Sequence, residues 1–123
     1  MEIKQGDIYW VDIDEPRGSE PGFTRPFVVI QNNVVNKSRL NTVLVTALTT
    51  NLDRAKAEGN VLLNKGEANL PKQSVVVVSQ TIAIDRSLLR EKIGTLSKHR
   101  IEEIVAGIKL LIEPREIEEE MKR

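Results

Sequence analysis

Arg25 stands near the end of GSEPGFTRP, residues 18–26, directly before the apolar run FVVIQN. A guanidinium is permanently charged and presents a planar fork of N–H donors. Placing one beside a buried strand calls for an anion to meet it, either a carboxylate of the same chain or an oxyanion such as a phosphate. Asp12 and Asp14, at the end of DIYWVDID, are the in-chain partners that would make Arg25 an ordinary ion pair. Glu20 shares the loop with Arg25 and is a chemically easier proton acceptor than a guanidinium. Thr49 and Thr50 close another apolar run. Their hydroxyls can donate one hydrogen bond each, although threonine is also a common strand former.

Residue counts remove other chemistries. The chain has no cysteine, so no thiolate nucleophile, disulfide or cysteine-bound zinc is available. His99 is the only histidine, which rules out a pair of imidazoles acting as acid and base. Asp12, Asp14 and Glu15 come nearest to a metal site. No histidine lies near them in sequence, and Glu15 alternates to the other face of a continuing strand, so they read as solvated carboxylates. Neither metal nor cofactor is expected.

Basic and acidic residues balance at 18 each, so net charge points to no partner. Residues 16–66 carry seven basic and three acidic side chains, whereas the last eleven residues carry five acidic and three basic. A mildly basic middle suits an anionic ligand. No apolar stretch reaches the roughly 18 residues of a membrane span, and MEIKQGD lacks the apolar core of a secretory signal. Together with the absence of cysteine this fits a cytoplasmic protein.

The 123 residues suit one domain, 1–123, with an acidic tail over 114–123 that is frayed or weakly helical. DIYWVDI alternates as a strand, with Ile8, Trp10, Asp12 and Asp14 on one face and Tyr9, Val11 and Ile13 on the other. EPRGSEPGFTRP, with three prolines and two glycines, reads as a long loop of the kind that often carries function. Further strands are expected at FVVIQN, TVLVTALTT, NVLLN and SVVVVSQ, then two short ones at IAIDRS and KIGTLS. NVVNKSRLN reads as a turn with one helical turn, and KGEANLPK as a connector. From Ser97, the expected N-cap, to Pro114, a stop, apolar residues recur at helical spacing. Gly107 inside that helix would allow close approach to a strand. Many strands and one long helix exclude a doubly wound sheet, which needs helical crossovers. They predict a bent antiparallel sheet or partial barrel with helices at its side, mainly β in an α+β arrangement.

GDIYWVDID, GSEPGFTRP, FVVIQN, ALTTN, SQTIAID and KIGTLS, in this order and at these spacings, resemble the MazF/PemK family of toxin endoribonucleases over about residues 5–112. The resemblance implies an SH3-like barrel of the CcdB/MazF type and a homodimer. It implies metal-independent, sequence-selective cleavage of single-stranded RNA to 2′,3′-cyclic phosphate and 5′-hydroxyl ends. It also implies a cognate antitoxin that blocks the RNA groove. The catalytic arginine of the family's RP dipeptide falls on Arg25, and its catalytic threonine on Thr49, with Thr50 adjacent. Ser19, Glu20, Phe23, Thr50, Asn51 and Gln80 become expected substrate contacts. Phe23 either stacks on a base or covers the core edge; Gln80 either reads a base or finishes a ladder. The family's loop often reads GSEQGG or GSEQAG, and Pro21 and Phe23 depart from that. The alternative of the same architecture is a CcdB-like binder that poisons a protein such as gyrase without chemistry. A groove basic enough for RNA is expected from Arg25, Lys56 and Arg86 of paired chains.

Overall fold

The computed structural model describes residues 2–13 and 23–117. One six-stranded antiparallel sheet, curled into a half-barrel, dominates it: β1 (Asp7–Ile13), β2 (Phe23–Val29), β3 (Thr42–Thr49), β4 (Val61–Leu63), β5 (Ser74–Asp85) and β6 (Leu89–Thr95), in the spatial order β4-β5-β3-β2-β1-β6. A single helical turn, α1 (Asn33–Asn36), links β2 to β3, and α2 (Lys98–Ile112) follows β6. Residues 118–123 of the tail lie outside the described residues; Arg115, before them, pairs with Glu58 at 3.2 Å.

The sheet is covered on both faces, and the alternation of each strand decides which side chain enters which core. Tyr9, Val11, Phe27, Val29, Val43 and Val45 fill one core. Ile8, Val28, Leu48, Val76, Val78 and Ile104 of α2 belong to the other. Burial on both sides is why FVV reads as a continuous apolar run. Each such aliphatic side chain withdrawn from water contributes about 1.5–3 kcal/mol. Trp10, on the Ile8 face of β1, belongs to neither core.

The second strand differs from its sequence expectation. It runs from Phe23 to Val29 rather than Phe27 to Asn32, because β1 supplies partners back to Ile13, opposite Phe23. Arg25 is therefore inside a strand, opposite Val11, not at a hinge. Pro26 is tolerated there because β3 pairs with β2 only at Phe27–Val29, so that β2 has one neighbour at Pro26.

SVVVVSQ and IAIDRS are one strand, not two. Thr46 pairs with Thr81 and Leu48 with Val76, so Ala47 alone spans the β5 stretch from Val77 to Gln80. The surplus forms a large bulge that bends β5. Thr81 Oγ1 donates to Val78 O at 2.8 Å and lies 2.8 Å from Thr46 Oγ1, closing the bulge.

Ser97 caps α2, its Oγ accepting from Arg100 N at 3.2 Å, and the helix ends at Ile112, two residues before Pro114. Gly107 does allow a close approach, but to the loop at Gly59 rather than to a strand: a Cβ on Gly107 would lie 2.1 Å from Gly59 O. Among the described residues no helix is long and apolar enough to cross a membrane.

Candidate active site

Where β2 and β3 part company a cleft opens. Their last register pair is Phe27 with Ala47. Two residues further along each strand lie Arg25 and Thr49, and here the ladder has ended. The cleft, about 370 Å³, is lined by Arg25, Leu48, Thr49 and Thr50 on this side. Leu70, Pro71 and Lys72 form a wall from the segment before β5, and Trp10 and Ile93 close the β1–β6 side. Ser74, also in the lining, donates to Lys72 O at 2.9 Å and so holds that wall.

Arg25 is half-buried and held by neutral acceptors. Its Nη2 donates to Leu48 O and to Gln80 Oε1, both at 3.3 Å, and its guanidinium carbon lies 5.9 Å from the centre of the Phe27 ring. Among the described residues it has no carboxylate partner. Asp12 pairs instead with Arg90, and Asp14 lies outside the described residues. Burial first, and then the positive charge of Arg54, push the Arg25 pKa below the usual arginine range. Both effects disfavour the cation, and the attraction of an anion brought into the cleft would offset them. Among the described residues, Nη1 and Nε carry no hydrogen bond, so the free side of the fork remains for such a ligand.

Thr49 Oγ1 accepts from Asn51 N at 3.2 Å, which leaves the hydroxyl proton to be donated elsewhere. Asn51 itself caps the 3₁₀ turn Leu52–Lys56, with Oδ1 accepting from Asp53 N at 3.2 Å. Gln80 reaches Arg25 from the β5 bulge. Arg25, Thr49 and Thr50 thus share one cleft, with Gln80 bonded to its cation. Ser19 and Glu20 lie outside the described residues, as does the Phe23 side chain, although the Phe23 backbone opens β2. Among the described residues no three His, Asp or Glu side chains gather as a metal site.

Sequence reasoning missed Trp10, Arg54 and Lys72. Trp10 is the chain's only tryptophan, on a strand face that also carries a carboxylate, a signal that it serves something other than core. Lys72 lay in a stretch read as a connector, and Arg54 in a polar segment without periodicity; neither offered a signal. Arg86, expected in a groove between paired chains, does not line this cleft; its Nη2 donates to Asn36 O at 2.7 Å, at the end of α1. Lys56 lies in the 3₁₀ turn and does not line the cleft.

Residues 4–112 match the sequence model described as PemK-like, MazF-like toxin of type II toxin-antitoxin system. The chain belongs to this family. Among relatives, Endoribonuclease MazF6 of Mycobacterium tuberculosis is 34% identical over 113 residues, covering 92% of this chain and 99% of its own. The fold matches a MazE-MazF crystal structure from Deinococcus radiodurans, with a TM-score of 0.76 at 17% identity over 94% of this chain and 99% of that one. An endoribonuclease in complex with its cognate antitoxin, from a mycobacterial species, gives a TM-score of 0.72 at 18% identity over 93% of this chain and 99% of that one. Family membership makes the chain a toxin of a type II toxin–antitoxin system, and the cleft lies within the matched span.

Proposed function

We propose that the chain is an endoribonuclease that cleaves single-stranded RNA without a metal, leaving 2′,3′-cyclic phosphate and 5′-hydroxyl ends. The observation that carries this reading is the half-buried Arg25 guanidinium, without a carboxylate partner among the described residues and in one cleft with Thr49. In such a reaction the 2′-oxygen attacks the adjacent phosphorus, its proton is removed, and the 5′-oxygen leaves with a proton. Negative charge builds on the non-bridging oxygens in between. The Arg25 fork, fixed through Nη2, offers Nη1 and Nε to those oxygens, and the Thr49 hydroxyl offers a third donor. Donors already in place in a water-poor site are often the largest catalytic contribution.

Arg25 acts first as this charge clamp. Glu20 is the chemically easier group to take the 2′-hydroxyl proton; an unchanged pH–rate profile in Glu20→Gln would remove that assignment. Ser19, Phe23, Thr50, Asn51 and Gln80 are proposed RNA contacts.

The active unit is proposed to be a homodimer. Leu44, Ile82, Leu111 and Ile112 stand exposed, and an isologous contact would cover apolar surface of this kind; a monomer in sedimentation at micromolar concentration contradicts it. A cognate antitoxin is proposed to occupy the cleft, by analogy with the relative solved with its antitoxin. The setting is the cytoplasm, where mRNA is the substrate and growth arrest the consequence.

Incubation with a long single-stranded RNA in the presence of EDTA is the test. Discrete fragments ending in cyclic phosphate, absent with Arg25→Ala, are expected. Intact RNA with the folded wild type would sink the reading.

A further inference from the structure

Arg25 accounts for one part of the cleft, and the rest of its lining is largely apolar. Leu70, Pro71 and Ile93 stand there with Trp10. The chain is poor in aromatics, with one Trp, one Tyr and two Phe. Tyr9 and Phe27 are 2% and 3% exposed and belong to the core. Among the described residues, Trp10 is therefore the one aromatic side chain set at a surface cleft. It is half-buried, opposite Pro26 in the β1–β2 register. Trp10 also walls a second depression, of about 300 Å³, with Thr24, Arg90 and Glu91. Arg90 there pairs with Asp12, and Glu91 adds a further negative charge, so this side does not favour a phosphate. A largely apolar wall beside a cation, flanked by these carboxylates, suits a neutral flat ring better than another phosphate.

We infer that Trp10 is the stacking plate for a nucleobase adjoining the phosphate held by Arg25. This rests on the RNA reading above and extends it. An indole offers a rigid, broad π-surface, and proteins that hold single strands use such surfaces because every base has a π-face. The chemistry divides the cleft: the guanidinium end takes the phosphate, the Trp10, Ile93 and Pro71 end takes the base. Such stacking is sequence-tolerant, so it anchors the strand and leaves base selection to polar groups.

The single tryptophan makes the test direct. The site at which the wild type cuts RNA is mapped first. A seven-nucleotide RNA spanning it, with 2′-deoxyribose at the scissile nucleotide, is then titrated while tryptophan emission and the anisotropy of a labelled copy are recorded. Emission is expected to be quenched on binding, and an abasic residue at one of the two positions flanking the scissile phosphate is expected to abolish the quenching. Trp10→Leu should weaken binding by about tenfold or more, while Trp10→Phe retains most of it, with circular dichroism confirming the fold of both. Binding by anisotropy without a change in emission overturns the inference, as does Trp10→Leu binding within about twofold of wild type. Quenching by a protein partner alone, with RNA bound silently, also overturns it. Failure of the wild type to cut any RNA strikes the functional reading itself and removes the basis for this one.

Discussion

Phe27 and Ala47 form the last rung of the β2–β3 ladder. Continuing their register two residues along each strand sets Arg25 against Thr49. The ladder does not continue, so the two side chains face a cleft instead of a neighbour. Arg25 Nη2 donates to Leu48 O, replacing a lost rung with a side-chain bond. The same divergence that ends the β2–β3 ladder thus opens the cleft and anchors its cation.

Arg25→Ala should lower the rate of RNA cleavage at saturating substrate by about 10²–10³-fold or more, as loss of a preorganised donor does. Arg25→Lys should also lose at least about tenfold, because an ammonium keeps the charge without the planar fork. Rates on a fluorescent oligonucleotide, paired with thermal melts, check both. Full activity in either folded variant contradicts the assignment.

Thr49→Val keeps shape and strand preference while deleting the hydroxyl. It should reduce kcat by about 10²-fold with a smaller change in KM, since the donor acts on charge that develops in the transition state. It also removes the acceptor for Asn51 N, so the melting temperature must be read alongside.

Cleavage below saturation should fall steeply with added salt, because the cleft must displace counterions from the RNA. Arg54 lies close enough to Arg25 to push its pKa down. Arg54→Gln should therefore flatten the log–log salt dependence of affinity by about 0.7 if it meets one phosphate of a single strand. An unchanged slope would place Arg54 off the RNA path.

Gly107→Ala should destabilise by about 1–3 kcal/mol, against the helix preference for alanine. The added Cβ meets Gly59 backbone at 2.1 Å, and backbone cannot step aside cheaply. The neighbouring Asn60 bonds both Arg54 O, at 2.8 Å, and Val78 N, at 3.0 Å, in the β5 bulge. Denaturant unfolding measures the loss, and a melt equal to wild type would contradict this packing.

Tyr9 is the only tyrosine, so its titration can be followed by ultraviolet absorbance. Burial first, then the charge of Asp7 and the hydrogen bond to it, raise its pKa to about 12. The folded state then holds the phenolic proton more tightly than the unfolded chain, whose value is about 10. The resulting stabilisation is complete below pH 10 and is lost as pH rises through about 12. It amounts to about 2–3 kcal/mol. The stability difference between wild type and Tyr9→Phe should shrink across that window; a constant difference would contradict the shift.

Most strand segments, the C-terminal helix and its Ser97 cap could be read directly, because side-chain periodicity and capping chemistry are local, whereas the start of β2 and the unity of β5 could not. Arg25 and Thr49 could be picked out because their motifs resemble those of a family. The bulge of β5 was hidden: the run SVVVVSQTIAID is uniformly strand-forming, and the surplus appears only when β3 pairs with it. The partner of Arg25 was equally hidden. Asp12 and Gln80 are both chemically able to meet a guanidinium, and the fold gave Asp12 to Arg90 and Gln80 to Arg25.

By itself the amino-acid sequence determined which residues carry charge, which segments extend or coil, and which chemistries are impossible for want of cysteine or a second histidine. Tertiary structure alone decided that Trp10, Arg54 and Lys72 come near Arg25, and that Arg86 does not. Covalent order fixes local preference, whereas the company a side chain keeps depends on where strands pair and where they part. The candidate site lies where the β2–β3 pairing stops, at a place no local pattern marks.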